Sequence, residues 1–243
     1  MRPALEVSQL SRSFAGRTVL RDVSLQVGAG EVVSIVGPSG SGKSTLLDIL
    51  TGSLAPDAGA VSFADGGERP FAYMPQRDVL LPWRSILDNA GVGLEVAGLR
   101  RREARERAAR LFAPFGLAGT ERMLPRQLSG GMRQRVSFLR TVVQGKRTLL
   151  LDEPFGALDA ITRDELQRWL IGMWEGSRWS ILLITHDIRE AMRMSDRVLV
   201  LAASPGRVVG EVAVTRDIPR KEGFLRDARV GELEEHIHQL LRG

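Results

Sequence analysis

Apolar residues follow two different rhythms along this chain. At Ala4–Val7, and again over Val19–Val27, apolar and polar positions alternate with the period of a half-buried strand. Asp57-Ala58-Gly59 and Asp65-Gly66-Gly67 supply turn chemistry between further short strands, so the opening predicts a small antiparallel β region. Val32–Val36, Leu149–Leu151, Ile181–Ile184 and Val198–Ala203 are instead short, largely apolar runs, the pattern of strands buried on both faces. From about Arg77 to Arg140 the recurrence becomes helical: Ala104, Ala108, Leu111, Phe112 and Phe115 lie opposite a face carrying Arg101, Arg105 and Arg107. After that segment, strand-like runs at Leu149–Leu151, Ile181–Ile184 and Arg197–Leu201 alternate with the helical stretches Thr162–Glu175 and Ile188–Met194, the grammar of a parallel α/β sheet. A helical insert thus sits inside an α/β core. The last stretch, Phe224 to Leu241, places Leu233, Ile237, Leu240 and Leu241 on one helical face and predicts a packing tail.

Length and composition narrow the class without choosing a function. At 243 residues the chain can form one sizeable core with a smaller lobe grafted into it. The apolar fraction of 43% and charged fraction of 26% are those of a globular protein folding in water. The apolar runs fall far short of the ~20 residues needed to cross a bilayer. The N-terminus carries a charge but no apolar stretch with a cleavage site, which predicts a cytoplasmic protein. The absence of cysteine excludes disulfides, thiolate chemistry and a cysteine zinc site, and three histidines argue against a metal held by side chains alone. A net charge of +5 suits nucleic acid, anionic lipid or a nucleotide equally.

The motifs decide among these. Gly37-Pro38-Ser39-Gly40-Ser41-Gly42-Lys43-Ser44 follows the apolar run Val32–Val36 and precedes a helical pattern at Thr45–Leu50, which is the context a phosphate-binding P-loop requires. Its glycines let successive backbone N–H groups face phosphate oxygens, and the helix offers the positive end of its dipole. Lys43 adds a cation for the β and γ phosphates and Ser44 a hydroxyl for Mg²⁺. Because Mg²⁺ takes few carboxylates, an acidic residue should end another buried strand, and Leu149-Leu150-Leu151-Asp152-Glu153 provides it. Asp152 is expected to hold Mg²⁺ through water, leaving Glu153 as the general base. Leu128-Ser129-Gly130-Gly131-Met132 has small residues where a helix would begin, with Ser129 able to cap it. That makes a second anion site, and one nucleotide does not need two in one chain; the economical answer is closure over a nucleotide held by another copy.

With the P-loop, Leu128–Met132 and the acidic strand end in this order, the chain resembles the ABC ATPase family over roughly residues 4 to 215. The resemblance implies a P-loop NTPase core with an N-terminal antiparallel β subdomain and an inserted α-helical subdomain. One domain would span 1–243: 1–76 and 141–215 as core and β subdomain, 77–140 as helical subdomain and 216–243 as helical tail. It implies ATP and Mg²⁺ as ligands, with Gly37 to Ser44 and Thr45 on the phosphates, Phe14 stacked on adenine and Ser44, Gln76 and Asp152 around the metal. Gln76 would sense both Mg²⁺ and a membrane partner, Asp159 in Gly156-Ala157-Leu158-Asp159 would form the D-loop, and His186 in Ile184-Thr185-His186-Asp187 would contact the γ-phosphate. Phe14 departs from the tyrosine common there, which keeps stacking and removes a hydroxyl. Two ATPs would be sandwiched in a head-to-tail homodimer, each between one P-loop and the other copy's Ser129–Gly131.

The run Leu80-Leu81-Pro82-Trp83, followed by Ile86-Leu87-Asp88-Asn89, is similar to the importer branch serving nitrate, sulfonates, taurine and pyrimidine vitamin precursors. The resemblance implies a peripheral subunit on the cytoplasmic face of the membrane that meets permease subunits through a groove near Gln76 and Trp83. An extracytoplasmic solute-binding protein would be reached only indirectly. A rival reading is a soluble ABC ATPase acting on nucleic acid or ribosomes, suggested by Arg100, Arg101, Arg102, Arg105, Arg107 and Arg110. Glu103 and Glu106 interleave with those arginines, so a solvated helix face accounts for them better and no nucleic-acid partner is expected. A P-loop GTPase would need an Asn-Lys-x-Asp sequence, which is absent.

Overall fold

The computed structural model describes residues 2–66, 70–156, 158–214, 218, 220 and 223–242. Gly67 of the second predicted turn, Ala157 of the expected D-loop, and 215–217, 219, 221, 222 and 243 around the expected passage from core to tail lie outside the described residues.

The alternating N-terminal segments form an antiparallel sheet. Strand β1 (Leu5–Phe14) pairs with β2 (Arg17–Val27) from Leu5↔Val27 to Phe14↔Arg17. The run Val32–Val36, apolar except for Ser34, forms β3, buried along its whole length and belonging to the other sheet. Strand β4 (Ala58–Phe63) closes the first sheet against β1, giving the order β2-β1-β4.

The second sheet has six strands. Its further members are β5 (Phe71–Met74), β6 (Thr148–Asp152), β7 (Ser180–Thr185), β8 (Arg197–Ala202) and β9 (Arg207–Ala213), in the order β5-β6-β7-β3-β8-β9. The first five run parallel; β9 returns antiparallel on β8. Strand β9 departs from the purely parallel expectation. It is an edge strand whose residues are mostly half-exposed, so it lacks the apolar run that betrays a central strand.

Seven helices appear among the described residues: α1 (Lys43–Leu50), α2 (Ile86–Val96), α3 (Arg101–Ala109), α4 (Gly130–Val142), α5 (Ala160–Ser177), α6 (Ile188–Met194) and α7 (Ala228–Arg242). The helical periodicity over 104–115 overshoots α3, which stops at Ala109. Leu111 and Phe112 donate their amides three residues back to Ala108 and Ala109, and the chain then turns through Pro114 and Gly116. Phe112 and Phe115 nevertheless remain buried.

The two faces of the parallel sheet carry separate cores. Leu149, Leu151, Ile181 and Leu183 pack with Val136, Leu139, Leu166 and Leu170 from α4 and α5. Leu150, Leu182, Ile184, Val33 and Ile35 point the other way, onto α1 and the antiparallel sheet through Leu5, Leu10, Leu20 and Leu46. Helix α7 packs as a tail, with Ile237 buried and Leu233, Leu240 and Leu241 half-buried against Val198, Val200 and Val212. All the parallel strands thereby end toward one edge, where the loops after β3, β5, β6 and β7 meet.

Candidate functional site

The loop after β3 enters α1 through Gly42, whose backbone has φ +90. A Cβ there would lie 2.6 Å from the Leu20 side chain, so only glycine fits this close approach to β2. No side chain among the described residues caps α1, which leaves its first-turn amides to an anion. Arg17, Thr18, Val19, Ser39, Gly40, Gly42, Lys43, Ser44, Thr45, Glu153 and Ser204 line a cleft of about 470 Å³ over this helix end. Lys43 bends back, its Nζ donating to the carbonyls of Gly37 at 2.7 Å and Pro38 at 3.0 Å and reaching Ser41 Oγ at 3.4 Å. Burial lowers the Lys43 ammonium below its usual range, while Glu153 and Asp152 pull it back up.

At the end of β6 stand the two carboxylates. Burial pushes Asp152 up to about 6; the charge of Glu153 adds to the rise, the Tyr73 hydroxyl opposes it, Asp48 adds a little and Lys43 subtracts. The Tyr73 hydroxyl donates to Asp152 at 3.4 Å and is itself pushed up to about 12, by burial first and then by that carboxylate. A half-buried carboxylate with so weak a partner suits a cation beside it, and Ser44 brings a hydroxyl to the cleft that the adjacent Glu153 lines. This donor set fits Mg²⁺, which keeps most of its waters and needs few protein ligands.

Glu153 has φ 42, unusual for a non-glycine residue, and is held there because its amide donates to Ile184 O at 2.8 Å while its carbonyl accepts from Gly156 at 3.1 Å. That turn aims its carboxylate into the cleft, 18% exposed. Gln76 Nε2 donates to Glu153 Oε2 at 2.8 Å, and His186 Nδ1 lies 3.1 Å from Oε1. Residues from the loops after β5, β6 and β7 therefore converge on one carboxylate. Here the amide of Gln76 is committed to Glu153.

Ser129, Gly130, Gly131 and Asp159 lie elsewhere. Ser129 caps α4, accepting from Met132 N at 3.2 Å, and Asp159 caps α5, accepting from Ile161 and Thr162 at 3.1 Å each. The two caps sit side by side: a Cβ on Gly131 would come within 2.6 Å of Thr162 Cγ2. None of these four residues lines the phosphate cleft. Phe14 does not line it either; it is 44% exposed at the end of β1, with the Arg12 guanidinium 4.7 Å above its ring.

Residues 20–156 match the family model described as ABC transporter. The chain belongs to the ABC transporter family. Its relatives include the formylaminopyrimidine import ATP-binding protein ThiZ of Halalkalibacterium halodurans, 44% identical over 84% of this chain and 81% of that protein. The taurine import ATP-binding protein TauB of Yersinia pestis is 42% identical over 86% of this chain and 84% of its own. Among solved structures, the dimeric ABC transporter cassette MJ0796 superposes with a TM-score of 0.73 at 28% identity, covering 87% of this chain and 99% of that one. The chain is an ATP-binding and ATP-hydrolysing ABC importer subunit that energises uptake through a separate permease, with the fold its motifs predict. No helix among the described residues is long and apolar enough to cross a membrane.

The structure adds to this ABC subunit several residues that the motifs do not reveal. Tyr73, the single tyrosine, reaches Asp152 from β5, and its uniqueness in the chain is the one signal it carries. Arg140 of α4 donates to the carbonyls of Asp78 and Val79, Arg133 pairs with the Asp78 carboxylate at 3.1 Å, and Gln134 donates to Pro154 O. Helix α4 is thus tied to the loop of Gln76 and to the residue after Glu153. Asn89 clasps the Leu-Pro-Trp run, donating to Leu81 O, Arg84 O and Ser85 O at 3.1 Å each and accepting from Leu81 N at 2.7 Å. That clasp holds Trp83 on the surface, 75% exposed, and Val79, Val96 and Met123 are exposed as well. The arginines of α3 are largely engaged: Arg101 and Arg105 bind Asp88, while Arg102 and Arg107 pair with Glu106 and Glu103.

Proposed function

We propose that this subunit hydrolyses Mg·ATP in a head-to-tail homodimer and passes the closure of that dimer to membrane permease subunits docked around Gln76 and Trp83. The observation that carries the reading is the division of the site. One cleft holds the P-loop and a carboxylate gripped by Gln76 and His186, while Ser129–Gly131 and Asp159 form a second, capped surface away from it. Within one copy the second surface does not line the cleft, which favours its meeting the cleft of another copy, and MJ0796, a structural relative, is dimeric.

In this account the phosphates draw Lys43 off the carbonyls of Gly37 and Pro38, and the first-turn amides of α1 take the β-phosphate oxygens. Mg²⁺, when bound, neutralises charge on the β and γ phosphates. Ser44 and Asp152 would hold it, with Gln76 joining when its amide leaves Glu153. Glu153 orients the attacking water and accepts its proton, and His186 steadies both Glu153 and the γ-phosphate. Ser129 and the amides of Gly130 and Gly131 from the second copy complete the anion cage, so loss of the γ-phosphate loosens the dimer. Phe14 offers adenine the ring face that Arg12 leaves open.

The relatives point to taurine or a formylaminopyrimidine, and the importer branch that Leu80–Trp83 resembles widens the class to nitrate and other small sulfonates, delivered by an extracytoplasmic solute-binding protein that this chain does not touch. The subunit works on the cytoplasmic face of the membrane. A nucleic-acid role is disfavoured by the carboxylate partners of the α3 arginines. The test is Glu153→Gln: with ATP and Mg²⁺ it should elute as a stable dimer and lose at least about 100-fold in turnover. Hydrolysis at the wild-type rate would remove Glu153 from its role.

A further inference from the structure

We propose that Arg163 is a positioning residue that ties the turn leading into α5 to the loop carrying His186. Arg163 stands one turn into α5, where its backbone amide donates to Asp159 O at 2.9 Å. Its Nη2 donates to Leu158 O at 3.0 Å, and its Nη1 lies 3.7 Å from Asp187 Oδ2. Asp187 in turn caps α6, accepting from Glu190 N at 3.1 Å, while its amide donates to Thr185 Oγ1 at 3.1 Å. The carboxylate thus holds the first turn of α6 just after His186, and the Asp187 amide holds the same residue to Thr185 just before it. On the other side, the Leu158 side chain is the nearest neighbour that a Cβ on Gly130 would meet, at 3.5 Å. One cation thus joins the surface offered to a second copy with the residue that lies against Glu153.

Glu190 completes the arrangement from below. It is buried, and its Oε1, like the Nε of Arg163, has no hydrogen-bond partner among the described residues. Burial pushes its carboxyl up to about 7; a hydrogen bond with Thr185 and the charge of Arg163 oppose that rise. The planar fork of arginine reaches a carbonyl with one nitrogen and a carboxylate with another in a fixed geometry, a span that the compact ammonium of lysine does not reproduce. Because a displacement of about 1 Å at a reacting group costs on the order of 100-fold in rate, a slack loop at 185–187 would be felt at Glu153.

The inference rests on the proposed role of His186, and the test separates the two. In the full-length chain, kcat and KM for ATP are measured for Arg163→Met, Arg163→Lys, Asp187→Asn, the Met/Asn double variant and His186→Ala, with amide hydrogen exchange read at 185–188. Arg163→Met should lower kcat about tenfold while KM stays within about twofold, since the P-loop is untouched. Asn retains a capping side chain, so Asp187→Asn should lose activity through the missing charge and not through the cap. The double variant should be no worse than the more damaged single variant, and lysine should recover less than about half of the lost rate. Exchange should quicken at 185–188 but not in β3 or β6. Wild-type kcat in Arg163→Met or in Asp187→Asn, or a double variant whose loss is the product of the singles, would overturn the inference. A His186→Ala variant with wild-type turnover would sink the reading beneath it; an inactive His186→Ala beside a fully active Arg163→Met would sink the tie alone.

Discussion

Asp152 is held in a state that costs stability until a cation arrives, and Asp152→Asn measures that cost. Its carboxyl titrates near 6, against an ordinary value of 3.8. Between those values the native chain binds more protons than the unfolded one, so this group lowers stability as pH rises from about 4 to about 6 and leaves it lowered above. At about 1.4 kcal/mol per unit the cost is about 3 kcal/mol at most, and partial solvation of the group reduces it to about 1 kcal/mol. Asparagine keeps an acceptor for the Tyr73 hydroxyl and carries no charge. In thermal unfolding without nucleotide, Asp152→Asn should melt about 3 °C above the wild type at pH 7.5, and the gap should close by pH 4. With saturating ATP and Mg²⁺ the order should reverse, because the charged side chain then gains a partner. An Asp152→Asn variant equal to or less stable than the wild type at pH 7.5 without nucleotide, or a gap that ignores pH, would refute the argument.

Two other substitutions probe the helical region. The charge of Asp88 is fixed by Arg101 first, then Ser85 and Arg105, and its carboxyl sits near 2, so this contribution is present at neutral pH and is lost only as pH falls through that value. Asp88→Asn should therefore cost about 1–3 kcal/mol in denaturant unfolding at pH 7, with no effect on ATP affinity. Trp83→Ala removes an exposed ring, so the isolated subunit should keep its melting point within about 1 °C and its basal ATPase, while co-purification with the permease drops at least about tenfold. Loss of basal activity in Trp83→Ala would place the residue in the fold instead.

The parts of the fold most legible in the sequence are those where burial is complete. β3, β6 and β7 show as largely apolar runs because both of their faces are covered, and the P-loop shows because its chemistry demands fixed spacing. The edge strand β9 was hidden by its half-exposed residues, and the end of α3 by apolar spacing that continues through Phe112 and Phe115 although Pro114 and Gly116 stop the helix. At the site, Gln76, Glu153 and His186 are 110 positions apart from first to last and meet only because the loops after three parallel strands meet at one edge. The motifs propose roles for them; their mutual contacts left no sign in the sequence. Arg140, Arg133 and Gln134 left no trace beyond helical spacing, since a charged helix face looks the same whether its partner is water or the loop of Gln76. The burial of Glu190 was likewise invisible, because nothing local distinguishes a carboxylate in the first turn of α6 that faces inward from one that faces solvent.

The central claim is that this ATPase drives a membrane permease. It is tested most directly by purifying the tagged chain from its native cells in mild detergent and identifying by mass spectrometry what accompanies it. A multi-spanning membrane protein recovered in stoichiometric amount, and lost from the Trp83→Ala variant, is the predicted result. Ribosomal or DNA-repair proteins in its place would contradict the account and leave only the ATPase.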